Sequence, residues 1–227
     1  MSTLSELRGE IISCERCPRL RTYCREVALK KRRQFQGWDY WGKPLPGFGD
    51  PKARLLVIGL APAAHGGLRT GRMFCGDSSG DWLSRVLFET GFANQPTSTS
   101  ADDGLKLSGA YVTAVVRCAP PDNRPNRMEL ERCLPYLRME LKLLEEVSVV
   151  LVLGRIAFEG YLEAIDYTVH GRTHSKLKFV HGALYDLGGG TPKVLVSYHP
   201  SRQNTQTGRL KWEQWAEIFR RARSLVG

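Results

Sequence analysis

The chain has 227 residues, with 33 Lys and Arg against 23 Asp and Glu and a formal net charge of +10. Its 42% hydrophobic and 25% charged residues are ordinary globular proportions, which exclude a disordered tail and a collagen. The longest apolar stretch, Leu55 to Ala64, is far short of the roughly 18–20 residues of a bilayer span, so no membrane partner is expected.

Leu4 to Ser13 reads as a short helix. The first ten residues lack an apolar signal core, so a cytoplasmic, reducing location is expected. The helix leads into Cys14-Glu15-Arg16-Cys17, Pro18 restarts the chain, and Arg19 to Arg33 reads as a basic helix. Gln36 to Pro51 is punctuated by Gly and Pro and reads as loop; its aromatics Trp38, Tyr40, Trp41 and Phe48 either pack it on the body or line a pocket. Arg54 to Leu60 is a near-continuous apolar run, as in a strand buried on both faces. After a Gly/Ala/Pro-rich turn, Asp77-Ser78-Ser79 caps a helix whose apolar stripe is Trp82, Leu83, Val86 and Leu87. Tyr111 to Val116 is a second strand, and Asn126 to Leu144 a helix that Pro135 restarts or kinks. Val147 to Leu153 is a third strand, Arg155 to Ile165 a helix, Leu177 to Gly190 a β-excursion, Val194 to Ser197 a fourth strand, and Arg209 to Leu225 a closing helix. This alternation predicts a single α/β domain over residues 1–227, with three α/β/α layers around a central, mainly parallel four-stranded sheet.

Six cysteines in a reducing compartment favour metal binding over disulfides. Cys14 and Cys17 form a Cys-x2-Cys turn in which two sulfurs converge, and Cys118 and Cys133 are separated by 14 residues. Four thiolates from two distant segments close a tetrahedral zinc site or hold a [4Fe–4S] cluster, and composition does not separate the two. The competing reading is four unrelated buried thiols. Cys24 reads as a stray ligand or a small core residue. The charge excess is concentrated: Arg16 to Arg33 holds eight basic residues and one acid, and Arg202 to Arg223 holds six and two. Such a balance suits nucleic acid, or simply a solvated surface.

In parallel sheets ligands bind at the carboxyl ends of the strands. Three residue-rich segments fall there: Gly59 to Gly67 running on to Gly71–Asp77, Arg117 to Arg124, and His199 to Asn204. The turns Gly59-Leu60-Ala61-Pro62-Ala63 and His199-Pro200-Ser201, with the four cysteines, resemble the uracil-DNA glycosylase superfamily, most of all its iron–sulfur type-B branch, family 5. The resemblance runs from Cys14 to about Trp215. It implies a monofunctional hydrolase in prokaryotic base excision repair, acting on DNA containing uracil or deaminated purines such as hypoxanthine; a monomer is expected. It also implies a structural [4Fe–4S] cluster rather than zinc, held by Cys14, Cys17, Cys118 and Cys133. Where other branches carry a water-positioning acid or polar residue in the first turn, this chain has Leu60 and Ala61. Ala114 stands near the position of an Asn that reads the uracil edge, and Ala63 replaces the aromatic that excludes thymine. A roomier, less selective pocket is implied, and the branch shares these departures.

Cleaving a base from its sugar passes through an oxocarbenium-like cation beside an anionic base, so the site must donate to the base and place negative charge near the sugar. His199 is the candidate donor to uracil O2, or else a turn residue. Asn123 is a second candidate donor, or else a turn former. Asp77 orients water or offsets the sugar cation, or only caps its helix. Phe74 is placed to stack on the flipped base, with Gly59, Ala61, Ala63 and Ala114 shaping the pocket. Arg202, Gln203 and Asn204 are candidates to fill the gap left in the duplex, and His65 to touch phosphate. Two other classes compete: a non-catalytic DNA-binding module with a four-cysteine metal site, and a phosphate-processing α/β enzyme. The second lacks a phosphate-binding loop and a dinucleotide fingerprint.

Overall fold

The computed structural model describes residues 3–169, 172–173 and 177–227. Its strands are Phe48–Gly49 (β1), Leu55–Gly59 (β2), Ala110–Ala114 (β3), Val149–Leu153 (β4), Thr168–Val169 (β5), Arg172–Thr173 (β6), Leu184–Tyr185 (β7) and Lys193–Ser197 (β8). Six of them form one sheet in the order β1-β3-β2-β4-β8-β7, and β5 and β6 pair separately. The inner four, β3-β2-β4-β8, are mutually parallel. Every residue of β2, β3 and β4 is buried, which is why β2 and β4 read as unbroken apolar runs rather than alternating ones.

The predicted sheet of four strands is thus corrected to six. The four expected strands are all present. The additions are antiparallel two-residue edges: β1, inside the segment read as the loop Gln36–Pro51, and β7, the part of the expected β-excursion that joins the sheet. Two residues carry no periodicity, so pairing alone makes them strands.

The helices are Leu4–Ile12 (α1), Pro18–Lys30 (α2), Gly67–Thr70 (α3), Ser78–Glu89 (α4), Arg127–Leu143 (α5), Arg155–Ala164 (α6), Arg202–Gln206 (α7) and Trp212–Val226 (α8). α5 packs on α1 and α6, α4 packs on α8, and α6 and α8 both reach β4, giving the helix–sheet–helix layering. Asn126 and Glu129 form a capping box that starts α5. The helix then runs as one element through Pro135, so of the two expected outcomes the restart does not occur, and Cys133, Leu134, Tyr136 and Leu137 around it are buried in the core. The closing helix begins at Trp212 rather than Arg209, since Gly208 at φ +71° separates it from α7. Among the described residues no helix is long and apolar enough to cross a membrane.

A buried ion pair ties the loop after β3 to α5. Arg117 Nη2 lies 2.6 Å from Glu140 Oε2, with both side chains 1% exposed. The Thr113 hydroxyl donates to the same carboxylate at 2.6 Å, and so does the Gly47 N–H at 3.3 Å. A buried pair is tolerated when its remaining lone pairs are satisfied in this way. The pair fixes Cys118, next in sequence to Arg117, relative to Cys133 on α5.

Candidate active site

Parallel pairing brings the first and second segments together. Gly59 is in register with Ala114, and the pairing continues past the strand ends through Val115 N to Gly59 O and Val116 N to Leu60 O. Glycine at 59 is required by close approach: a Cβ there would stand 2.7 Å from the ring of Phe74. Phe74 itself sits at φ +50°, a left-handed conformation costing a non-glycine residue about 1–3 kcal/mol. Its carbonyl packs so tightly on α4 that a Cβ at Gly80 would meet it at 2.5 Å. The strained turn aims the Phe74 ring across the strand ends, 5.8 Å from the ring of His199 and inclined to it by 36°.

Asp77 caps α4 as expected: Oδ1 accepts from the Ser79 and Gly80 N–H groups, both at 2.9 Å. Its other oxygen faces the first turn, where a Cβ on Gly66 would lie 2.0 Å from Oδ2. A carboxylate therefore reaches the turn whose own Leu60 and Ala61 carry no polar group. The cap and the acid are one residue using two oxygens. Burial raises the Asp77 pKa above the usual carboxylate value, partly offset by the Gly80 and Ser79 N–H groups.

His199 is held by its backbone and left free at its ring. Asn204 Nδ2 donates to the His199 carbonyl at 2.8 Å, and the Ser79 hydroxyl donates to Pro200 O at 3.1 Å, fastening α4 to this segment. Among the described residues no group hydrogen-bonds to the His199 imidazole. Burial pushes its pKa down to about 4, so at neutral pH the ring is an uncharged donor–acceptor. Ala61 and Ala63 are half-buried in the first turn and Ala114 is fully buried, so no bulky side chain from these positions fills the space.

The remaining candidates are distributed differently. Asn123 is exposed at φ +55° in the turn Pro121–Asn123, and no side-chain contact among the described residues ties it to Phe74, Asp77 or His199. His65 shares a hydrogen bond with Tyr40, 3.0 Å from Nδ1 to the hydroxyl. Arg202 and Gln203 are exposed at the start of α7. Asn204, grouped with them on sequence, turns inward and supports His199 instead. Sequence reasoning also missed Ser79 and Arg69, whose contacts join segments far apart in the chain.

The four cysteines do converge: Cys14, Cys17, Cys118 and Cys133 line one small cavity together with Arg16, Arg21, Arg117 and Arg132. The Arg117 N–H points at Cys133 Sγ, 3.3 Å away. Cys24 is fully buried, donates to Ala119 O at 3.5 Å and lies against Cys118, beside the cavity rather than among its lining residues. Among the described residues no three His, Cys, Asp or Glu side chains close tightly enough to hold a single ion.

The chain folds as an α/β protein whose parallel strands β2 and β8 end beside an aromatic ring, Phe74, and an imidazole, His199. The family model described as the uracil DNA glycosylase superfamily matches residues 46–223, and the chain belongs to that superfamily. Within it the likeness is to the type-5 branch. The chain is 49% identical to a type-5 uracil-DNA glycosylase of Thermus thermophilus, over 96% of this chain and 95% of that one. It is 44% identical to one of Pyrobaculum aerophilum, over 96% and 92%. A type-4 uracil-DNA glycosylase of the latter organism is 29% identical over 87% and 83%.

Proposed function

We propose that the chain is a monofunctional hydrolase that removes uracil from DNA, acting in base excision repair in a prokaryotic cytoplasm. The carrying observation is the Phe74 ring lying 5.8 Å from the His199 ring beyond the carboxyl ends of β2 and β8, with an oxygen of Asp77, three residues after Phe74, turned toward Gly66; the type-5 relatives support the reading. The target base leaves the stack and lies on Phe74. The bond between C1′ and the base nitrogen breaks with its electron pair going to the base, and the His199 N–H donates to the uracil oxygen where that charge collects. The Asp77 oxygen facing Gly66 holds the attacking water and offsets the sugar cation. Water forms the new C1′–O bond, and the proton it loses balances the one taken up by the departed uracil anion, leaving free uracil and an abasic site. The small side chains of Ala61, Ala63 and Ala114 leave room for hypoxanthine. Asn123 remains a second candidate donor, its amide unengaged in this structure.

A uracil-containing duplex and a hypoxanthine-containing duplex test this directly, with alkali-sensitive breaks as the readout. Breaks at both lesions are expected. Intact strands with tight duplex binding would instead identify a non-catalytic DNA-binding module.

We also propose that Cys14, Cys17, Cys118 and Cys133 hold a [4Fe–4S] cluster. The four cysteines lining one cavity, with the Arg117 N–H directed at Cys133 Sγ, support a shared metal centre, and the type-5 likeness favours the cluster over zinc. When bound, the cluster supplies a covalent cross-link rather than a catalytic step. Burial pushes the Cys133 thiol up to about 11, so metal binding there displaces a proton. Cys17→Ser is expected to lose visible absorbance and to melt lower, by about 2–4 °C for each kcal/mol lost in a domain of this size. Cys24→Ser is expected to keep the colour and to lose melting temperature only through core packing. Zinc without iron in anaerobically purified protein overturns the cluster.

A further inference from the structure

The basic run after Cys17 is not used by the site described above, yet the structure lays its end against that site. Residues 31–42 leave α2 and run along α3, just beyond the first turn. Trp41 N donates to Arg69 O and Gly42 N to Leu68 O, each at 3.1 Å. Phe35 and Trp38, their rings nearly perpendicular at 79°, cup the guanidinium of Arg69, whose carbon lies 4.0 and 4.1 Å from the two centroids. Arg69 is 4% exposed, and its other contacts reach the active edge: Nε donates to His65 O and Nη2 to Gly76 O, both at 2.9 Å. Gly76 immediately precedes Asp77. The segment is thereby seated on the two backbone points that flank the proposed catalytic turn.

What it presents outward is charge. Arg32 and Arg33 are exposed and Lys31 is half-buried. Among the described residues no carboxylate lies within ion-pair distance of these three. Arg127, Arg138 and Arg220, by contrast, are each neutralised by acids. Unpaired cations at adjacent positions of a segment seated beside the proposed base pocket match the phosphates flanking an extruded base.

We infer that residues 31–38 form a DNA-docking arm in which Arg32 and Arg33 grip backbone phosphates of the duplex next to the active edge. The identity of the ligand rests on the glycosylase reading, but binding to an undamaged duplex tests the arm without any chemistry. Each phosphate contact contributes about 0.9 to the slope of log affinity against log salt. Arg32→Gln/Arg33→Gln is expected to lower that slope by about 1.8. The double variant then loses about twelvefold less affinity than the native chain between roughly 50 and 200 mM salt. Arg127→Gln/Arg220→Gln removes the same net charge from paired positions and is expected to keep the native slope. An unchanged slope in the first variant, or an equal fall in both, overturns the arm. Absence of uracil release by the native chain overturns the glycosylase reading and leaves the slopes to decide the arm separately.

Discussion

His199→Ala is expected to slow uracil release in single turnover by about 10²–10³, the usual cost of losing one donor to a developing anion. Duplex affinity should change little, because the phosphate contacts that dominate it lie elsewhere. The substitution leaves the local backbone held, since Asn204 grips the His199 carbonyl and Ser79 grips Pro200 O. The pH dependence is specific. With its pKa near 4 the native imidazole stays neutral across the physiological range, so the rate carries no histidine limb between about pH 5 and 8. Folding is linked in the matching direction. The unfolded ring binds protons from its ordinary value of 6.5 downward and the folded ring only near 4, so the stability contribution is present above 6.5 and lost as pH falls through 4. His199→Gln retains an amide donor and is expected to recover part of the rate with a flatter acid stability curve. Native-level cleavage by His199→Ala would remove the residue from the mechanism.

The parts legible in the sequence are those where one strong local rule acts. β2 and β4 read as LLVIG and VVLVL because both faces are buried, and such runs admit little but strand. Asp77 was legible as a cap from Asp-Ser-Ser, and the two cysteine pairs from their spacing. What was not legible depends on tertiary pairing. β1 and β7 exist only through their neighbours β3 and β8. Pro135 does not end α5, since the residues on both sides of it are buried in the core. Asn204 looked like one more polar residue on an exposed turn, and only the closing of that turn shows it bonded to His199. Arg69 resembled any surface arginine, while two aromatics more than thirty residues upstream bury it. The second oxygen of Asp77 is the clearest case: nothing near it in sequence shows that it faces Gly66.

That oxygen makes Asp77→Asn the most informative change. Asparagine keeps an acceptor for the Ser79 and Gly80 N–H groups, so the cap survives and the melting temperature should barely move. The charge is gone, and single-turnover cleavage is expected to fall by about 10²–10³. Asp77→Ala removes cap and charge together, adding about 0.5–2 kcal/mol of lost stability. Burial raises the native carboxyl's pKa, so the acid limb of the rate should lie above the ordinary carboxylate value of 3.8 and vanish in Asp77→Asn. The stability sign is opposite to that of His199. A raised folded pKa gives a contribution fully present below the unfolded pKa and lost as pH rises through the folded one. Gly66→Ala supplies the geometric control, because its Cβ would stand 2.0 Å from the Asp77 oxygen and must displace it. If that oxygen serves the reaction, Gly66→Ala slows the native chain strongly yet adds little in the Asp77→Asn background, a coupling that a double-mutant cycle reads directly. Fully additive losses, or an Asp77→Asn variant that cleaves at the native rate, would reduce Asp77 to a helix cap.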